Sequence, residues 1–218
     1  GGSGPGLSDP LCGRGIGHLF GIHTSFQYGL CSEERNRGMN VVVIGFKSAG
    51  KSTLGPLLAE RIGFRFDDLD WRMKGAASRE LGEDVDVRQA FRRLGAERFR
   101  EMEANLLAEA LSEENLVLSL GGGAVLAPAA RELVEGCCVV YIRVPEEDLV
   151  RRVRSGGWPA YLDGEADPEA ELRRLLAERL PRYEEVADVV VDNPDGEKPS
   201  RGASLAFEEV VEWMKSRK

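Results

Sequence analysis

Gly45-Phe46-Lys47-Ser48-Ala49-Gly50-Lys51-Ser52 carries the clearest chemistry in the chain. It fits the P-loop pattern, in which glycines let consecutive backbone N–H groups curl into a nest for phosphate oxygens. The lysine of that pattern reaches the β and γ phosphates, and the hydroxyl that follows it holds magnesium. The pattern has chemical meaning only between a strand and a helix, and both are legible here. Val41–Ile44 is continuously apolar, and Leu54, Leu57, Leu58 and Ile62 recur at helical spacing from Lys51 until Gly63 stops the run. Gly45, Lys47, Ser48, Ala49, Gly50, Lys51, Ser52 and Thr53 are therefore assigned to ATP, and Ser52 to Mg2+. The loop does not say what receives the phosphate, because GTPases, motor ATPases and small-molecule kinases all use it.

Candidates for the receiving side come next along the chain. Asp67-Asp68-Leu69-Asp70 ends the strand expected from Phe64 to Asp68. Ligands of open α/β sheets lie beyond the carboxyl ends of the strands, so these carboxylates fall beside the phosphate loop. There, one can organise a magnesium shell and another can take a proton from an attacking hydroxyl. Both histidines, His18 and His23, precede this region, so acid–base work after residue 38 falls to carboxylates, lysine, tyrosine or thiols. A further strand-like run leads into Gly121-Gly122-Gly123, where backbone can approach a ligand closely. Arg100 beside Glu103 or Glu97 reads, in isolation, as an ordinary helix-surface ion pair worth roughly a few tenths of a kcal/mol.

The elements that must position these residues alternate. Strands at Val41–Ile44, Phe64–Asp68, Leu116–Leu120, Cys138–Val144 and Val189–Val191 are separated by helical patterns at Lys51–Ile62, Arg98–Leu111, Glu146–Arg154 and Glu169–Glu185, with Ala203–Lys215 last. A short helix is expected between Pro128 and Gly136. This predicts a three-layer α/β fold of the P-loop type: a five-stranded parallel sheet with helices on both faces. Gly156-Gly157-Trp158-Pro159 breaks the pattern through to Pro168, which reads as a mobile lid. Residues 1–38 hold 10 of the 26 glycines and show no periodicity, so they are expected to be a cloning-derived or disordered extension before a catalytic domain at 39–218. Cys12, His18, His23 and Cys31 within it match no zinc spacing.

Composition narrows the partners. With 37 acidic and 29 basic residues the net charge is −8, which disfavours a grip on a nucleic acid backbone and favours a small substrate. No apolar run is long enough for a membrane span, and four cysteines that form no paired framework fit a reducing cytoplasm.

Taken in order, the P-loop, Asp68-Leu69-Asp70, Phe99-Arg100-Glu101-Met102-Glu103 and Leu120-Gly121-Gly122-Gly123-Ala124 resemble the shikimate kinase family. The resemblance covers essentially all of Met39 to Lys218. It implies a nucleoside-monophosphate-kinase type of fold and a cytoplasmic monomer. The implied activity moves the γ-phosphoryl group of ATP to the 3-hydroxyl of shikimate, on the way to chorismate and the aromatic amino acids. It also implies that Asp68 assists magnesium, and that Asp70 binds the acceptor hydroxyls and activates the one that attacks. Arg100 would grip the substrate carboxylate, joined by Arg179 from Glu178-Arg179-Leu180-Pro181-Arg182-Tyr183. Gly121, Gly122 and Gly123 would line the acceptor pocket, and Arg152 would stack on adenine. A carboxylate with three hydroxyls suits that set, since bidentate arginines meet one end and a hydrogen-bond acceptor the other.

One position departs from the resemblance. The family's lid carries an arginine before a proline, whereas Trp158 precedes Pro159 here, leaving Arg154 or Lys47 to supply the cation. Trp158 itself suits either stacking over a ring or anchoring the lid. The departure keeps two rivals in view: a kinase of the same build for another small hydroxy acid or sugar acid, and an ATP-binding regulatory protein with impaired catalysis.

Overall fold

The computed structural model describes residues 39–159, 162, 164–196 and 198–216. The expected extension at 1–38, with Cys12, His18, His23 and Cys31, lies outside the described residues, as do Ala160, Tyr161 and Asp163 of the expected lid.

Five strands form one parallel sheet: β1 (Val41–Ile44), β2 (Arg65–Asp68), β3 (Leu116–Ser119), β4 (Cys138–Arg143) and β5 (Val189–Asp192), in the order β2-β3-β1-β4-β5. Val42 lies level with Leu118 of β3 and Val139 of β4, so β1 is the centre of the sheet. Its four residues are all fully buried, which is why the strand reads as an unbroken apolar run and not as an alternation. The edge strand β5 does alternate, burying Val189 and Val191 and exposing Val190.

Chain direction places the site. The connection out of β1, helix α1 (Lys51–Ile62), runs to the β2 side. The connection out of β3, through a 3-10 turn at Ala124–Leu126 and helix α4 (Pro128–Leu133), runs back over β1 to β4. Right-handed crossovers in opposite directions put their helices on opposite faces and leave a crevice between the carboxyl ends of β1 and β3. The phosphate loop follows β1 and the glycine triplet follows β3, so both open into that crevice.

The remaining helices are α2 (Leu69–Leu81), α3 (Val87–Leu111), α5 (Glu146–Gly156), α6 (Pro168–Val186) and α7 (Pro199–Ser216), the last packed on α1. Periodicity assigns nothing to the stretch that becomes α2 and the first half of α3. The cause is local: α2 leaves β2 with no intervening loop and buries only Leu69, Met73 and Ala77, a narrow stripe. The capping box of Asp86 and Gln89 starts α3, and Gly95, at φ 78°, breaks it into two segments. Phe91 and Phe99 meet edge to face across the break, with centroids 5.3 Å apart.

Candidate functional site

The loop after β1 is held in a shape that few side chains tolerate. At Gly45 a Cβ would stand 2.9 Å from Ile142 O, so β4 requires glycine there. Ser48 and Gly50 adopt φ of 65° and 101°, the left-handed turns that make successive N–H groups face one concave side. Helix α1 then begins at Lys51 with no side-chain cap and no acidic residue in its first turn. Its N-terminal N–H groups and positive dipole end are thereby left for an anion. Lys51 Nζ arches back over the loop and donates to Gly45 O and Phe46 O, each at 3.0 Å.

Opposite the loop, β2 runs directly into α2. Asp68 caps that helix by accepting the backbone N–H of Asp70 at 2.8 Å, which turns the Asp70 carboxylate towards the crevice. The glycine triplet then maps the wall facing it. A methyl on Gly121 would come 2.9 Å from Asp70 Oδ1. One on Gly122 would meet Lys47 N of the phosphate loop at 3.4 Å. One on Gly123 would lie 3.7 Å from Arg100 Nη2 and 4.0 Å from Arg179 Nη1. Three consecutive residues thus face the carboxylate, the phosphate loop and the two guanidinium groups in turn.

These groups share a cleft of about 860 Å³. Arg100 is paired with Glu103 and lies over the Phe99 ring, while Arg179 lies over Phe46, centroid distance 5.8 Å. Arg100 thus makes the helix-surface pair with Glu103 and also lines the cleft. Electrostatics couple the centre. Burial pushes the Asp70 carboxyl above its usual range, Asp68 adds to this, Lys51 opposes it and Glu103 adds again. Burial also pushes the Lys51 ammonium down, against the pull of Asp70 and Asp68.

Of the residues assigned from sequence, Lys47, Ser48, Gly50, Lys51, Ser52, Thr53, Asp68, Asp70, Arg100, the glycine triplet and Arg179 line the cleft. Gly45 and Ala49, also in the loop, do not line the cleft, nor does Arg152, which donates to Ser48 O, Asn193 O and Asp195. Asp67, from the same acidic run, instead pairs with Arg72 at 2.7 Å and belongs to the scaffold. On the lid, Trp158 is half-buried against the core and also lines the cleft, and its carbonyl accepts from Arg88 Nη2 at 3.4 Å. Arg154 is exposed, with Glu169 as a neighbour at 3.9 Å. Sequence reasoning missed Arg88 and Tyr183, whose hydroxyl donates to Gly122 O from a fully buried ring. Neither has a local signal, because each acts on a carbonyl far away in sequence.

Comparison with known proteins agrees with this geometry. The family model described as Shikimate kinase matches residues 47–215. A shikimate kinase of Synechococcus sp. (strain RCC307) is 38% identical over 184 residues, 83% of this chain and 87% of that protein. One from Corynebacterium glutamicum is 41% identical over 147 residues, 67% of this chain and 82% of its own length. Among solved structures, shikimate kinase from Acinetobacter baumannii in complex with shikimate superposes with a TM-score of 0.67 at 31% identity, covering 86% of this chain and 99% of that one. The chain belongs to the shikimate kinase family.

Proposed function

We propose that the cleft transfers the γ-phosphoryl group of ATP to the 3-hydroxyl of shikimate, giving shikimate 3-phosphate and ADP. The observation that carries this is the glycine strip, which sets Asp70, the phosphate loop and two guanidinium groups beside three consecutive residues. That spacing suits a small acid whose carboxylate sits between Arg100 and Arg179 and whose hydroxyls reach Asp70.

In this reading Lys51 and the N–H groups of the loop hold the β and γ phosphates, and Asp70 orients the acceptor hydroxyl and takes its proton as the phosphoryl group leaves ADP. Asp70 starts with a raised proton affinity, which favours that acceptance. Ser52 and Asp68 offer oxygen donors that suit Mg2+, an ion that takes the rest of its shell from phosphate and water. When bound, magnesium supplies charge neutralisation at the phosphates.

Residues 39–218 act as the kinase domain, which the grouping of Gly38–Lys218 into one unit supports. The half-buried thiol of Cys137 suits a reducing cytoplasm.

Coupled ADP detection with Mg-ATP and shikimate tests the assignment, with other small hydroxy acids and sugar acids as parallel acceptors. Asp70→Asn should keep ATP binding and lose roughly 10²- to 10⁴-fold in turnover. Shikimate left untouched while another acid is consumed would overturn the substrate, and near-normal turnover in the variant would remove Asp70 from its role.

A further inference from the structure

The phosphate loop is gripped from behind by residues that its motif does not contain. Where β5 ends, Asn193 N donates to Arg143 O at 2.8 Å and Asn193 O accepts from Arg152 Nη2 at 2.8 Å. With its backbone fixed at both ends, Asn193 extends its side chain over the loop and donates Nδ2 to Ala49 O at 2.8 Å. Gly50 makes room for that contact, since a Cβ there would lie 2.7 Å from Asn193 Nδ2. Arg152 is itself fixed by Asp195, 2.6 Å from Nε, and its Nη1 reaches Ser48 O at 3.4 Å. Asp195 is tied to α5 in turn, accepting from Arg151 and donating its backbone N–H to Asp148 at 2.9 Å.

Peptide geometry turns this grip into a function. In a planar trans peptide the C=O and the following N–H point in opposite directions. Fixing Ala49 O on the outer side of the loop therefore aims Gly50 N–H at the inner side, where Gly50 lines the cleft. The aim has to be enforced. Ser48 sits at a positive φ that a non-glycine residue reaches only against steric strain, and such a conformation persists only where its surroundings hold it.

We propose that Asn193 is a positioning residue for the triphosphate. Through Ala49 O it holds Gly50 N–H aimed at a phosphate oxygen, and through its own carbonyl it joins that peptide to Arg152. The proposal rests on the reading of the loop as the ATP site, and it names a determinant of phosphate affinity outside the P-loop motif.

The test uses the full chain and four species: wild type, Asn193→Ala, Asn193→Asp and Asn193→Ser. Steady-state KM for ATP and for shikimate are measured, with inhibition by inorganic tripolyphosphate, which has phosphates and no base. Losing one hydrogen bond should raise KM for ATP and Ki for tripolyphosphate about tenfold in Asn193→Ala. Asn193→Asp, of the same shape but with a carboxylate facing the Ala49 carbonyl, should lose more, and the hydroxyl of Asn193→Ser should recover part. KM for shikimate should stay within about twofold of wild type, as expected for a site with no shared partner. An unchanged tripolyphosphate Ki would overturn the proposal, as would equal rises in both KM values or a melting temperature that falls in step with activity. Wild-type enzyme that fails to bind ATP or tripolyphosphate would instead sink the reading of the loop, so the two failures are separable.

Discussion

Gly121 and Asp70 are in contact limits: a Cβ on Gly121 would stand 2.9 Å from Asp70 Oδ1, closer than a methyl and a carboxylate oxygen can approach. Gly121→Ala must therefore push the carboxylate away from the acceptor hydroxyl without touching the phosphate loop. Displacement by about 1 Å at a reacting centre costs about 10²-fold, so kcat should fall by that order while the affinity for ATP is kept. Stopped or quenched-flow turnover with parallel ATP titration checks this, and an unimpaired kcat would separate Asp70 from the chemistry.

The pH profile of kcat/KM should carry the same residue's signature. Asp70 acts in its ionised form, and burial with Asp68 and Glu103 raises its pKa against the pull of Lys51. Activity must then fall on the acid side at a pH above the ordinary carboxylate range. Glu103→Gln removes one raising charge and should move that acid limb to lower pH. The sign for stability is the reverse of the usual carboxylate case. The folded chain holds this proton to higher pH than the unfolded one, so ionising Asp70 costs stability as pH rises through its raised pKa. Asp70→Asn should escape that loss, which melting curves between pH 4 and 7 would register.

Arg100 and Arg179 approach one point beside Gly123 from different helices, which predicts a division of labour between substrates. Truncating either to alanine should raise KM for shikimate about 10- to 100-fold, the range for hydrogen bonds to a charged group. KM for ATP should change by less than about threefold, as for a group remote from the nucleotide. A rise confined to ATP would place these arginines on the wrong substrate.

How much of this is legible in the sequence depends on the distance over which each residue acts. The phosphate loop is legible because backbone chemistry, glycine conformations and helix start are all encoded within residues 45–52. Asp68 and Asp70 are legible because a strand end beside such a loop is a site in any fold of this class. Arg88, Tyr183 and Asn193 are not, since they act on the carbonyls of Trp158, Gly122 and Ala49, and only the folded chain brings those pairs together. Helix α2 escapes periodicity because three buried side chains suffice to dock it, and Gly95 hides the first half of α3 by breaking its phase.

Tyr183 offers a check on the glycine strip as a unit. Its ring is fully buried beside Tyr141, and its hydroxyl donates to Gly122 O. Tyr183→Phe keeps the packing and removes the donor, leaving a carbonyl short of its partner, at about 1 kcal/mol and a fall of about 2–4 °C in Tm. Because Gly122 lies between the contacts to Asp70 and to the arginines, KM for shikimate should rise as well. A lowered Tm with unaltered shikimate kinetics would show that the strip keeps its shape without this bond.

The lid supplies the last prediction, because Trp158 stands where the resemblance leads one to expect an arginine. Two cations were open from sequence, and the structure separates them. Lys47 lines the cleft from within the phosphate loop, whereas Arg154 is 72% exposed with Glu169 beside it. Charge that develops on a transferring phosphoryl group is best neutralised by a cation already held in the cleft, where water screens it least. Lys47→Met should therefore lower kcat by about 10²-fold, the scale of removing one preorganised donor. Arg154→Ala should leave kcat within about twofold, as for an exposed ion pair. Arg88, which holds the Trp158 carbonyl, should affect lid position more than charge, so Arg88→Lys should retain more activity than Arg88→Ala. Single-turnover measurements with saturating shikimate read all four variants on one scale. A severe loss in Arg154→Ala alongside a mild one in Lys47→Met would reverse the assignment and require the lid to swing its own arginine over the phosphates.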